Sequence, residues 1–126
     1  QPFFLFLAYN APHTPLQAPD DAILRHLRRD EEPVEAVRRA MIDELDSGVG
    51  AVMDALRDSG REKETLVIFT SDNGGTGREH NGAFRGGKMS LWEGGIRVPL
   101  IASWPGHLPA GRSCESMAIT HDLTAT

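Results

Sequence analysis

Three short segments of the chain carry side chains that are candidates for binding a cation and an anion. Asp72 and Asn73 are adjacent and follow the apolar run Leu66–Phe69. His13 lies between two prolines after another apolar run, and Lys88 follows two glycines. A carboxylate beside an amide oxygen offers hard donors that suit Ca²⁺ or Mg²⁺ better than zinc. A histidine can donate a proton near neutral pH, and a lysine can meet an anion as a point charge.

Both apolar runs are predicted to be strands buried on both faces. Leu66–Phe69 and Phe3–Ala8 have no polar face, which is typical of strands in a sheet covered by helices. Asp72 and Asn73 follow one strand, and His13 follows the other. If the strands are parallel neighbours, these side chains share the rim of the sheet at which open α/β folds bind their ligands.

A long helix is predicted between the two runs, over Pro33–Ser59. Apolar residues recur there at steps of three or four from Val34 to Leu56, Pro33 suits a first helical position, and Gly60 suits the end. A shorter helix is predicted over Pro19–Arg29. Strand, helix and strand in this order are typical of a parallel βαβ unit. The sequence therefore predicts an α/β fold with a mainly parallel sheet flanked by helices.

The later part of the chain is predicted to contain less regular structure. A third strand is expected over Val98–Trp104, a turn of helix near Leu91–Glu93, and the start of another helix at His121. Thr76–Gly87 is polar and rich in glycine, which predicts a loop. His80 in this loop could be a ligand, although a solvated loop residue is the simpler interpretation.

Composition excludes several classes of function. At 126 residues, with 40% hydrophobic and 25% charged residues, the chain is predicted to be one globular domain. A net charge of −5 gives no reason to expect a nucleic-acid partner. No apolar stretch is long enough to span a membrane. Cys114 is the single cysteine, so no internal disulfide is possible. The cysteine content therefore does not indicate the cellular compartment.

Each candidate residue also has an ordinary structural interpretation. The run Ser71–Gly75 reads Ser-Asp-Asn-Gly-Gly, which is good turn chemistry without any metal. His13 could be a loop histidine and Lys88 a surface lysine. The residues alone leave these alternatives open.

The order of the motifs points to a family. Pro12–Pro15, Thr70–Gly74, and Gly86–Lys88 followed by Glu93–Pro99 together resemble the sulfatase family of the alkaline phosphatase superfamily. The resemblance covers nearly the whole chain. It implies a partial alkaline-phosphatase-like domain and the hydrolysis of sulfate esters by a divalent metal and a formylglycine nucleophile.

The resemblance also implies roles for individual residues. Asp72 and Asn73 match metal ligands, and the metal is usually Ca²⁺, with Mg²⁺ possible. Lys88 matches the lysine that binds the sulfate group. His13 matches the histidine that contacts the sulfate and the oxygen of the leaving group. The implied partner is a sulfate-ester substrate.

One part of the family pattern is missing from the sequence. The formylglycine arises from Cys or Ser in a Cys/Ser-x-Pro-x-Arg motif that follows a pair of metal-binding aspartates. Cys114 is followed by Glu115 and does not fit, and Asp20-Asp21 lies on the wrong side of His13. Residues 1–126 are therefore expected to be a single partial catalytic domain that lacks the N-terminal nucleophile segment. That missing segment of the same domain is an expected partner of the chain. Alone, the chain is expected to be inactive.

Two other functions stay open. The chain could belong to a phosphatase, phosphodiesterase or phosphonate hydrolase of the same superfamily, although the Glu93–Pro99 motif favours a sulfatase. It could also be a non-catalytic interaction module. Members of the resembled family are often secreted, periplasmic or lysosomal, and the sequence does not select among these compartments.

Overall fold

The computed structural model describes residues 1–77 and 81–125, so His80 lies outside the described residues. The chain forms two compact units, one within residues 1–60 and one within residues 61–126. That residues 1–126 form a single partial catalytic domain stays a prediction.

The first unit is built on two helices. Helix α1 spans Asp20–His26, with acidic residues in its first turn and basic residues in its last, as the helix dipole favours. It ends at His26 rather than at the predicted Arg29. Helix α2 spans Pro33–Asp58, and the backbone N–H of Gly60 donates to the carbonyl of Arg57 at 3.0 Å. Gly60 has a φ of 69°, which a glycine adopts without strain. The predicted long helix is present: it begins at Pro33 as predicted and ends at Asp58, one residue before the predicted Ser59.

Small residues form the core between α1 and α2. The buried apolar residues of the described chain are Ala22, Ala36, Ala40 and Met41. The predicted stripe is only partly correct, because Val34 is exposed and the buried positions of α2 include Ala36 and Ala40, which lie outside the stripe. Alanine side chains are short, so they allow the two helices to approach closely.

The segment Phe3–Ala8 does not form the predicted buried strand. It has no regular secondary structure, and Phe4 and Phe6 are 91% and 77% exposed. A strand needs a neighbouring strand to take up its backbone hydrogen bonds. Within the described residues, the sheet contains two other strands and nothing pairs with this segment.

The second unit contains that two-stranded sheet. Strand β1 spans Val67–Thr70 and strand β2 spans Leu100–Ser103. They are antiparallel, with Val67 opposite Ser103. Both strands lie close to their predicted positions, but the predicted parallel pairing is not seen among the described residues. The α/β fold class holds. The direction of strand pairing differs from the predicted one, because it depends on which strands meet in the folded chain and not on the local sequence pattern.

Short helices complete the second unit. A 3₁₀ turn spans Glu62–Glu64, helix α3 spans Glu93–Ile96, and helix α4 spans Thr120–Ala125. The indole N–H of Trp104 donates to the carbonyl of Lys63 at 3.1 Å, which joins the end of β2 to the segment before β1. Among the helices described, none has the length and apolar character needed to cross a membrane.

Candidate functional site

The turn after β1 presents Asp72 and Asn73. The hydroxyl of Ser71 donates to the carbonyl of Asn73 at 3.0 Å, and the backbone N–H of Asn73 donates to Oδ1 of Asp72 at 2.9 Å. Asp72 is exposed and Asn73 is half-buried. The turn is therefore held by its own polar side chains, and it presents a carboxylate and an amide side by side at the end of the strand.

Glycines allow this turn to lie against the backbone of α3. The N–H of Gly74 donates to the carbonyl of Gly95 at 3.0 Å. A Cβ atom on Gly74 would lie 1.8 Å from the carbonyl oxygen of Gly94, a distance that no real side chain tolerates. Gly94 and Gly95 are themselves buried. The close approach thus requires glycine at the position directly after Asn73.

The loop that carries Lys88 is bonded to the same turn. The backbone N–H of Lys88 donates to the carbonyl of Gly75 at 2.8 Å. A Cβ atom on Gly87 would lie 2.5 Å from that carbonyl oxygen, so the contact again requires glycine. The hydroxyl of Ser90 donates to the carbonyl of Gly87 at 2.7 Å and closes the loop. Lys88 is half-buried. The structure therefore brings the backbone of Lys88 against the segment that follows Asn73.

His13 lies in the first unit, in a tight turn. Its backbone N–H donates to the carbonyl of Asn10 at 2.8 Å, which closes the turn. Nδ1 lies 2.8 Å from the carbonyl oxygen of Thr14. Because a carbonyl can only accept, Nδ1 carries the hydrogen and Nε2 is the ring nitrogen left to meet another group. That His13 converges with Asp72 and Lys88 stays a prediction.

The donor set fits a hard divalent cation. Asp72 and Asn73 offer carboxylate and amide oxygens of the kind that Ca²⁺ prefers, and two side chains supply only part of a shell of six or more ligands. Among the residues that the structure describes, no three His, Cys, Asp or Glu side chains gather closely enough to hold a metal. Further ligands would have to come from elsewhere.

Sequence reasoning missed Asn81. Its side chain hydrogen-bonds to backbone groups on both sides of the site, including the N–H of Gly75 and the carbonyl of Gly86. It stands in the loop that was predicted only as polar and rich in glycine. The available signal was an amide side chain within a glycine-rich loop, because glycine has no polar side chain that could bond to the surrounding backbone groups.

Comparison with known proteins gives a consistent result. A family model described as Sulfatase matches residues 1–126. N-acetylgalactosamine-6-sulfatase of Rattus norvegicus is 39% identical over 131 residues, which cover 99% of this chain and 24% of that protein. Steryl-sulfatase of Mus musculus is 39% identical over 122 residues, which cover 89% of this chain and 18% of that protein. The chain thus spans about a quarter or less of the length of these curated relatives.

Solved structures agree. The crystal structure of Ps i-CgsB in complex with k-i-k-neocarrahexaose superposes with a TM-score of 0.72 at 42% identity, over 87% of this chain and 25% of that chain. The crystal structure of PsFucS1 sulfatase from Pseudoalteromonas sp. superposes with a TM-score of 0.54 at 43% identity, over 61% of this chain and 16% of that chain.

Proposed function

Because the chain belongs to the sulfatase family, we propose that the full-length protein that carries it hydrolyses sulfate esters. The observation that carries the proposal is the 2.8 Å hydrogen bond from the backbone of Lys88 to Gly75, since it ties a candidate anion-binding lysine to the candidate metal-binding turn. An anion and a cation would then be held by one connected stretch of backbone.

Lys88 is proposed to bind the sulfuryl group. A sulfate ester carries negative charge on its oxygens, and an ammonium group stabilises that charge. The half-buried position of Lys88 supports this role, because partial removal from water strengthens the attraction. Glycine on its N-terminal side lets a ligand approach the backbone closely.

His13 is proposed to protonate the leaving oxygen. When the S–O bond breaks, its electron pair stays on the departing oxygen, which needs a proton. The contact between Nδ1 and the carbonyl of Thr14 supports delivery from Nε2 of the imidazolium. The proposal requires Nε2 to face the same sulfate ester as the amine of Lys88.

Asp72 and Asn73 are proposed to contribute two ligands to a Ca²⁺ ion. When bound, such an ion stabilises negative charge on the sulfuryl oxygens. The adjacent oxygen donors support this assignment.

The family's formylglycine nucleophile is proposed to come from a part of the protein outside residues 1–126, because this sequence has no Cys/Ser-x-Pro-x-Arg motif. We also propose that the complete catalytic domain contains a mainly parallel sheet, in which Phe3–Ala8 is a covered strand.

The test is to replace Lys88 in the full-length protein. We expect Lys88→Ala to lower kcat for an aryl sulfate by about 10²- to 10³-fold, the usual effect of removing one group that stabilises developing charge. Lys63→Ala is the matched control, since Lys63 is the other lysine of the chain, is exposed, and bonds Trp104 only through its backbone carbonyl. Wild-type turnover in Lys88→Ala would remove Lys88 from the site. Preferential turnover of the matching aryl phosphate by the wild type would contradict the proposed function.

A further inference from the structure

The side chain of Asn81 bonds to four backbone groups. The N–H of Gly75 donates to its Oδ1 at 2.7 Å. Its Nδ2 lies within hydrogen-bond distance of three carbonyl oxygens, those of Gly75 at 3.1 Å, Gly77 at 2.8 Å and Gly86 at 3.1 Å. The amide nitrogen has two hydrogens, so one of them is shared between two of these carbonyls. A rotated amide would set its oxygen against three carbonyl oxygens, so the contacts themselves fix the orientation.

These four groups belong to the two segments that carry the candidate site. Gly75 comes two residues after Asn73, and Gly86 comes two residues before Lys88. The carbonyl of Gly75 accepts both from Nδ2 of Asn81 and from the backbone N–H of Lys88. The amide of Asn81 therefore bridges the turn with the oxygen donors and the loop with the lysine.

The surrounding glycines make this bridge specific. A Cβ atom on Gly74 would lie 3.0 Å from Oδ1 of Asn81, and one on Gly87 would lie 3.0 Å from its Nδ2. The glycines thus leave the space that the amide occupies. No helix or strand runs through the described residues from Ser71 to Gly87, so their backbone groups depend on contacts of this kind.

We propose that Asn81 is a positioning residue that holds Lys88 at a fixed place relative to the Asp72–Asn73 turn. It acts through the backbone of Gly75 and Gly86 and does not touch the substrate. The catalytic part of this inference rests on the proposed sulfatase function, whereas the bridging part does not.

Two variants of the full-length protein test the inference. Asn81→Ala removes all four contacts. Asn81→Asp keeps the shape and the acceptor for the N–H of Gly75, but sets a carboxylate oxygen against three carbonyls, so it remains informative if Asn81→Ala fails to fold. Thr65→Val is the matched control, because it also removes a side-chain bond to a backbone carbonyl, that of Arg61 at 2.9 Å, outside the site.

Two measurements are made on each variant. The first is amide hydrogen exchange by mass spectrometry over residues 72–88, and the second is kcat for an aryl sulfate. We expect both Asn81 variants to exchange faster in this segment and to lose about 10- to 100-fold in kcat, as supporting contacts around such sites usually do. Thr65→Val is expected to change neither.

The outcomes separate the two proposals. Wild-type exchange over residues 72–88 in the Asn81 variants would overturn the bridge. Faster exchange with wild-type kcat would overturn the positioning role. If the wild-type protein does not hydrolyse the sulfate ester, the proposed function and the catalytic part of this inference both fail, and the exchange rates still decide whether Asn81 joins the two segments.

Discussion

At the scale of single residues, two interpretations of the Ser71–Gly75 run prove compatible. Asp72 accepts a hydrogen bond from the N–H of Asn73 through Oδ1, which is ordinary turn chemistry. A carboxylate has a second oxygen and several lone pairs, so the same side chain can hold the turn and still serve as a metal ligand. The turn contact thus preorganises the donors and does not compete with the proposed Ca²⁺ site.

His13 carries a prediction at this scale. We expect His13→Ala to lower kcat by about 10²- to 10⁴-fold for a sulfate ester with a poor leaving group, such as an alkyl sulfate. The loss should be smaller for 4-nitrophenyl sulfate, because nitrophenolate departs without a proton. Steady-state kinetics with both substrates provide the measurement.

His107→Ala is the control for that experiment, since His107 packs on Trp104 with ring centroids 4.2 Å apart and has no proposed role. An equal loss for both leaving groups in His13→Ala would show that His13 does not act as the acid.

At the scale of elements, ion pairs tie the α1–α2 connection to α2. Arg39 donates to Glu31 and to the carbonyl of His26, the latter at 3.2 Å. Nε2 of His26 also lies within hydrogen-bond distance of Oδ2 of Asp43, at 2.5 Å. The alanine core of these helices buries little area, so polar contacts at its edge contribute to the geometry of the helix pair.

Glu31 gives this helix pair a pH dependence. The hydrogen bond from Arg39, together with the charges of Arg39 and Arg28, holds the pKa of the Glu31 carboxyl below its usual 4.5. A lowered pKa in the folded state means that the carboxylate stabilises the fold above pH 4.5 and loses this effect as the pH falls through the folded value.

We therefore expect Glu31→Gln to lower the melting temperature slightly at pH 7, because exposed ion pairs contribute little. The difference from the wild type should disappear as the pH falls below 4.5. Calorimetry across this range measures it. A difference that persists at low pH would mean that charge is not its cause.

Alanine substitutions at Gly74, in the turn after β1, and at Gly50, inside α2, are a matched pair that tests the close backbone approach at Gly74. Gly74→Ala should destabilise the protein by at least about 1–3 kcal/mol, since the new methyl group would overlap the backbone of Gly94. Gly50→Ala should stabilise it by roughly 0.5–1 kcal/mol, because Gly50 lies inside α2 and its Cβ would meet open space. Denaturant melts of both variants measure the two effects. Equal effects would contradict the close approach at Gly74.

At the scale of the whole chain, apolar exposure is high. Phe4, Met89 and Leu91 are each at least 90% exposed, and no large side chain among the described residues is fully buried. Exposed apolar surface of this kind favours association with other protein surfaces.

We expect residues 1–126, expressed alone, to self-associate in analytical ultracentrifugation. The double variant Phe4→Ser, Phe6→Ser should reduce the association, whereas Leu24→Ser, at an exposed leucine of α1 outside the Phe3–Ala8 run, should not. A monomeric wild-type chain with a cooperative melt would contradict the expectation.

Local sequence patterns were sufficient to predict several elements of this structure. Pro33 and Gly60 mark the ends of α2 because proline suits a first helical turn and glycine suits a left-handed residue after the last. The strand β1 and the turn at Asp72 follow from an apolar run that ends in turn-forming residues. The order of the motifs was sufficient to identify the family.

Only the tertiary structure decided which backbones meet. The antiparallel pairing of β1 with β2, and the exposure of Phe3–Ala8, depend on the presence of a partner strand, which no local pattern encodes. The bridge by Asn81 is of the same kind. Its partners are glycine N–H and carbonyl groups, which are identical at every glycine in the sequence, and they become specific only when folding brings Gly75 and Gly86 around one amide.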